Sequence, residues 1–300
     1  MNELYAVDPS APKDFKDLVT LFGSFGLRNG RFIAEFPNTW LDMLGKKIDL
    51  LSDLDRARFS RLRALHSDVV LPLRDDRVQY RHSRTWLENA ISLKTNAGLV
   101  KEVLAVDPNP LNVATLNNYL WERGEKASLH RGAHVSMTAD EYARAVAPLF
   151  AHSTEVHLAD PYFALRRETG FLDRQRCDAL QALTAAAAAS RRCETFVLHL
   201  NLGNKALTSE NKARLQEDIA ETVASNAGSK LRILFKYHNR MTHGRYIFSQ
   251  KGGLQFDHGF ILMSGKKNHV HWLGDAELEP LIKDYLDGFA VVRRGATNTS

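Results

Sequence analysis

His243 and Arg245 stand two residues apart. On an extended strand, residues i and i+2 point to the same face, so an imidazole and a guanidinium would line one pocket. That pair suits phosphodiester chemistry: the imidazole can attack phosphorus or move a proton, and the guanidinium can stabilise charge on the equatorial oxygens. The competing reading is structural, with His243 satisfying a backbone carbonyl and Arg245 pairing with Asp160 or Asp257. Short motifs recur by chance, so His-x-Arg alone decides little. Other histidines crowd the same stretch, namely His238, His258, His269 and His271. Asp257-His258-Gly259 lies just beyond the Gly252-Gly253 turn and can complete a pocket. His269-x-His271 puts two imidazoles on one strand face, a pair able to bind a metal. No carboxylate or thiol stands at tight ligand spacing beside it, so no metal and no cofactor is expected.

The elements that must position these residues follow from hydrophobic period and turn signals. Thr138-Ala139-Asp140-Glu141 reads as a helix start. Glu155 to Phe163 reads as a strand ended by a polar turn at Asp160-Pro161. A helix over 173–192, a strand over Thr195–Leu200, a helix over Thr208–Ala224 and a strand over Lys230–Lys236 follow. Gly228-Ser229 separates the last two. Tyr246–Phe248 and Gly253–Phe256 read as a hairpin, His269–Leu273 as a further strand and Pro280–Tyr285 as a final helix. Strands alternating with helices predict an α/β domain with parallel strands, whose functional residues cluster at the strands' carboxyl ends. Asp160, His199 and residues 238–245 fall there. Residues 1–140 predict a mainly helical domain, with helices over Trp40–Leu44, Asp53–Leu65, Ser83–Leu104 (broken near Asn96-Ala97-Gly98) and Leu111–Trp121. Asp107–Pro110 is a loop. The domains expected are therefore 1–140 and 141–300.

Glu155 to Phe163, an apolar strand ending in Asp-Pro-Tyr-Phe, resembles the opening strand of phospholipase D-like domains. His243, Arg245 and the following Gly252-Gly253 resemble that superfamily's His-x-Lys-x4-Asp motif and the glycines after it. The stretch Gly252 to Phe260 is similar to the glycine-rich tail of a divergent His-x-Arg branch. That branch includes the C-terminal module of certain eukaryotic MIT-domain proteins and uncharacterised bacterial relatives. The resemblance covers residues 145 to 290 and leaves residues 1 to 140 without a family. It implies a mixed, largely parallel sheet flanked by helices and a metal-independent phosphodiesterase or nuclease acting on DNA or RNA. His243 would be nucleophile or acid, Arg245 the phosphate clamp and Asp160 the group that orients a histidine. His258, Gly252, Gly253 and His199 would line the substrate site. Single-motif enzymes of the superfamily build one site from two copies, which implies a homodimer, and the bacterial relatives suggest an antiphage defence component. Two departures stand out: Arg245 replaces the motif lysine, and Gln250 occupies the place of the motif aspartate. Loss of that carboxylate supports the alternative, a catalytically degenerate adaptor that binds nucleic acid or a protein partner, as a subunit of a larger complex, without turnover.

Bulk properties bound these readings. The 300 residues are 44% hydrophobic and 25% charged, enough for one large domain or two ordinary ones. A formal charge of +5 permits contact with a polyanion. Arg56, Arg58, Arg61, Arg63, Arg74, Arg77, Arg81 and Arg84 form a run without lysine. They suit phosphate forks, or equally a solvated helix face paired with Asp53 and Asp55. Two cysteines exclude a disulfide scaffold or a cysteine-rich metal site. P-loop, dinucleotide and zinc-peptidase motifs are absent from the sequence. Met1-Asn2-Glu3-Leu4-Tyr5 carries no leader signal, and no run nears the ~20 apolar residues a membrane span needs. The expectation is a cytoplasmic protein without membrane contact.

Overall fold

The computed structural model describes residues 2–73, 79–106, 114–116, 118–119, 132–190, 192–224 and 230–287. The chain divides into two units, Asn2–Arg131 and one that begins at Gly132. The first contains β1 (Glu3–Val7), α1 (Phe15–Ser24), β2 (Arg31–Glu35), α2 (Trp40–Ile48), α3 (Asp53–Leu65), β3 (Val70–Pro72), α4 (Trp86–Thr95), β4 (Glu102–Ala105) and β5 (Ala114–Thr115). Its strands form one parallel sheet in the order β3-β2-β1-β4-β5. Successive side chains on a strand point to opposite faces. Tyr5, Val7, Ile33 and Leu104 accordingly pack with Leu21 of α1, Trp40 of α2 and Phe59 of α3. Ala6, Ala34, Val103 and Ala105 pack with Ala90 and Leu93 of α4. A parallel sheet needs both faces covered, and these helices cover them.

Among the described residues the first unit holds more helix than strand, in line with a mainly helical reading, but a five-stranded parallel sheet that was not expected organises it. Strands buried on both faces show no polar alternation, and runs this short resemble buried helix turns. The helix expected over Ser83–Leu104 stops at Thr95, and Glu102–Ala105 is a strand between β1 and β5. Ala114–Thr115 is a strand where a helix was expected. Most of that helix, the 107–110 loop, Gly228-Ser229, Arg74 and Arg77 lie outside the described residues. Within the arginine run, Arg56 pairs with Asp53, and Arg58 lies 3.4 Å from Asp55. For these two, the solvated-helix reading holds.

The second unit contains β6 (Gly132–Ser136), α5 (Ala139–His152), β7 (Glu155–Ala159), α6 (Arg174–Ala189), β8 (Thr195–Asn201), α7 (Ser209–Val223), β9 (Arg232–His238), β10 (Tyr246–Phe248), β11 (Gly253–Phe256), β12 (Lys267–Trp272) and α8 (Asp275–Ile282), with a π-helical turn over Lys283–Asp287. The sheet order is β6-β12-β11-β10-β7-β8-β9. Strands β7, β8 and β9 run parallel, and the remaining pairings are antiparallel. The unit is α/β with helices flanking a mixed sheet, as expected. The parallel half is confined to β7–β9. Because β6 pairs with β12, the unit starts at Gly132, ahead of the boundary expected at residue 140. One face packs on α5, where Phe150 meets Phe196 edge-on at 5.9 Å and Tyr142 meets Phe256 at 5.3 Å. On the other, Ala159, Phe248 and Leu273 pack with Leu278, Leu281 and Tyr285.

Two features set up the site. The loop from β7 to α6 is braced by Arg166, whose Nε and Nη2 donate to Asp218 of α7 at 2.8 and 2.6 Å and whose Nη1 donates to the Gly170 carbonyl at 2.7 Å. Strand β10 pairs antiparallel with β7 in the register Tyr246↔Ala159. The residues entering β10 therefore arrive beside the residues leaving β7.

Candidate functional site

Asp160 is the first residue after β7 and is 2% exposed. Its Oδ1 accepts from the Tyr162 N–H at 2.9 Å and lies 3.9 Å from Arg245 Nε. Burial raises the carboxyl pKa above its ordinary value. The Tyr162 N–H, Arg176, Arg245 and the Phe260 N–H pull the other way and do not fully offset it. Arg245 is held by one hydrogen bond and one ring, with the Asp160 carboxylate near enough to attract it but too far to hydrogen-bond. Its Nη1 donates to the Asp257 carbonyl at 2.5 Å, and its Cζ sits 5.0 Å from the centre of the Tyr162 ring. Its side chain remains 28% exposed, so an anion can reach it. His243 is exposed. Its Nδ1 lies 2.9 Å from Tyr162 Oη, and the two ring centres are 6.4 Å apart, nearly end to end. Arg176, from the first turn of α6, donates to the Tyr162 carbonyl.

Tyr162 is therefore the hub, with its ring against Arg245 and its hydroxyl on His243. The chemistry depends on the tautomer. If the phenol donates to Nδ1, Nε2 carries the proton and His243 offers a donor to a phosphate oxygen. If Nδ1 donates instead, Nε2 offers a lone pair backed only by a neutral phenol oxygen. A carboxylate would stabilise the developing imidazolium far better. The arrangement thus suits holding an oxyanion by a hydrogen bond more than launching an attack on phosphorus.

Gly259 closes the site from the β11–β12 loop. Its φ is +73°, and a Cβ there would lie 2.6 Å from Asp160 Oδ2 and 2.7 Å from Arg245 Cδ. Glycine is needed for conformation and for space. Gly259→Ala is expected to cost about 1–3 kcal/mol and to dislodge Arg245. Urea unfolding would read the first effect and anion binding the second. Wild-type behaviour in both assays would contradict this close approach.

Several expectations change. His243 and Arg245 precede β10 and lie in its approach loop, so Tyr162, not strand alternation, unites them. Asp160 makes no contact with a histidine among the described residues; it holds Tyr162 and Arg245. His258 is exposed on the loop shared by Asp257 and Gly259, and its N–H donates to Asn268 Oδ1 at 2.9 Å. Gly252 and Gly253 lie at the opposite end of the β10–β11 hairpin. A Cβ on Gly253 would come 2.8 Å from Phe248 Cβ and 2.9 Å from Leu273 Cδ1, so this glycine serves close packing in the core. Gln250 lies in that same distant turn, so its side chain does not mark a gap beside His243.

His199 does not sit at a strand end. It is fully buried within β8 and belongs to a relay that single-strand reading misses. Glu155 Oε1 lies 3.0 Å from His157 Nε2, His157 Nδ1 lies 3.0 Å from His199 Nε2, and His199 Nδ1 lies 2.8 Å from His238 Nε2. The hydrogen bond from His157 is the largest influence holding Glu155 below its ordinary pKa. An ionised Glu155 fixes His157 Nε2 as donor, which makes each Nδ1 an acceptor along the line to His238. The available signal was Glu155-x-His157 facing one side of an otherwise apolar strand, with another histidine inside the next apolar strand. Buried polar groups need partners.

Burial, followed by the neighbouring His157, His238 and Lys236, holds His199 well below its ordinary pKa. Burial and Lys236 lower His238. A histidine depressed in the folded state leaves stability intact above its unfolded pKa, about 6.5. As the pH falls below that value the unfolded chain takes up protons first, and stability is lost. His199 alone contributes a slope of up to about 1.4 kcal/mol per pH unit; His238, partly solvated, adds less. Urea midpoints measured from pH 7.5 down to 5 are expected to fall steeply below pH 6.5. A flat profile would contradict the neutral relay.

No protein-family model matches the chain, and no curated protein matches it. Among solved structures it is similar to TrmBL2, an archaeal chromatin protein whose structure shows a novel mode of DNA binding. The identity is 12% and the TM-score 0.28, covering 83% of this chain and 68% of that one. It is also similar to a polyphosphate kinase from Porphyromonas gingivalis, at 14% identity and a TM-score of 0.29, covering 55% of this chain and 27% of the kinase. At such scores these likenesses define neither fold nor function.

Proposed function

We propose that the second unit is phospholipase D-like and binds a phosphodiester of nucleic acid between Arg245, His243 and Tyr162. The observation that carries this reading is Arg245, a guanidinium fixed by the Asp257 carbonyl and the Tyr162 ring near the Asp160 carboxylate, yet open to solvent beside an exposed imidazole. Such a fixed fork loses little freedom on meeting a phosphate. Exposed Tyr162 adds a ring on which a base can stack.

Hydrolysis is the second reading, favoured by His243 Nε2, which has no partner among the described residues. In that reading a homodimer brings two His243 side chains to one phosphorus, one as nucleophile and one as acid. The test incubates single- and double-stranded DNA and RNA with the protein and with His243→Ala, with and without chelator. Chelator-resistant cleavage lost in His243→Ala supports hydrolysis. Binding without cleavage leaves the binding reading alone. A wild-type protein that neither binds nor cleaves overturns both.

A further inference from the structure

We propose that Asp257, His269 and His271 form a site for one first-row divalent transition-metal ion, with Zn2+ as the natural probe. His269 and His271 share one face of β12, while Asn268, Val270 and Trp272 on the other face are buried. Asp257 follows β11, and its N–H donates to the His269 carbonyl at 3.1 Å, so strand pairing brings the carboxylate beside the histidines. One ligand atom from each of the three residues lies within 4.8 Å of the others. Asp257 Oδ2 and His269 Nδ1 are 3.4 Å apart. Two ligands on a tetrahedral zinc, with bonds of about 2.0–2.1 Å, stand roughly 3.3 Å apart. That pair already has the required separation, and a His271 atom within 4.8 Å must close in by up to about 1.5 Å.

Nothing strong holds His271 back. Its Nδ1 is buried without a hydrogen-bond partner among the described residues, and its Nε2 is 3.9 Å from Glu277 Oε1, too far for a hydrogen bond. Gly132 of β6 leaves room for the rings, since a Cβ there would lie 2.7 Å from His269 Nε2 and 3.1 Å from His271 Cβ. His134, directly opposite His269 in the β6–β12 register with ring centres 5.2 Å apart, flanks the three-residue group. Two imidazoles with one carboxylate favour zinc, nickel, cobalt or copper over magnesium or calcium. The partial exposure of Asp257 and His269 leaves room for water in the remaining positions. The proposal does not rest on the phosphodiester reading, although the Asp257 carbonyl also accepts from Arg245.

The test is calorimetric titration of tag-free protein with ZnCl2 at pH 7.5, with histidine 15N spectra as a second readout. The expected result is one ion per chain, a raised Tm, and shifts at His269 and His271. Removing a partner that only orients a metal ligand costs about 10–100-fold in affinity, so losing a ligand should cost at least that. His269→Ala and Asp257→Asn should therefore each weaken binding by about tenfold or more, while His258→Ala should not. Both altered residues are partly exposed, and circular dichroism would verify their folding. Absence of stoichiometric zinc uptake by the wild type, or unchanged uptake by folded His269→Ala and Asp257→Asn, would overturn the proposal.

Discussion

Arg166→Ala is expected to lower the unfolding free energy by about 3 kcal/mol, read as a drop in the urea midpoint without a change in slope. Asp218 is 3% exposed, and among the described residues Arg166 supplies both of its side-chain hydrogen bonds, at 2.8 and 2.6 Å. Removing the guanidinium leaves a carboxylate buried without a counter-charge, which costs far more than the pair itself contributes. The loop from β7 to α6 would also lose its brace to the Gly170 carbonyl. Replacing both partners, as in Arg166→Met with Asp218→Leu, is expected to restore much of the loss, because no unpaired charge then remains. A loss under about 1 kcal/mol for Arg166→Ala would place the pair with surface ion pairs and contradict this account.

Arg245→Ala is expected to weaken binding of a short single-stranded oligonucleotide by about 10–100-fold, the equivalent of one charge-assisted hydrogen-bonded contact. The salt dependence should fall by about one phosphate contact as well. Arg245→Lys should recover only part of the affinity. A lysine keeps the charge but cannot at once lie against Asp160, donate to the Asp257 carbonyl and stack on Tyr162. Tyr162→Phe should be milder than either, since it keeps the ring and removes only the hydroxyl that meets His243. Anisotropy titrations at two salt concentrations would read all three variants. Equal affinities for Arg245→Ala and the wild type would remove the clamp from the account.

Local signals in the sequence located much of the second unit. Thr208 caps α7 by accepting from the Asn211 N–H, and the Tyr246–Phe248 and Gly253–Phe256 hairpin follows its turn chemistry. In the first unit, Asp53–Leu65 is the helix its period predicts. What local reading missed depends on pairing between distant segments. The grouping of Asp160 with Arg245 rested on parallel strands ending together. The real cause is that β10 runs antiparallel and begins where β7 ends. Tyr162 stands in the Asp-Pro-Tyr-Phe turn in plain view, yet its role appears only when a residue 81 positions away closes on it. His157 and His199 each stand alone in their strands, and His238 reads as one of a crowd of later histidines, until three strands align them. Gly252 and Gly253 read as pocket glycines, but Gly253 meets Phe248 and Leu273 in the core. Composition signals a small residue without saying what it makes room for.

The most direct measurement of the phosphodiester site is an NMR titration of the protein with a dinucleotide carrying one phosphodiester, following the His243 ring and the Arg245 Nε–H. The account predicts saturable shifts at both groups and none of them in Arg245→Ala. Shifts confined to other cations, such as Arg61 and Arg63 of α3, or no saturable shift at all, would contradict it.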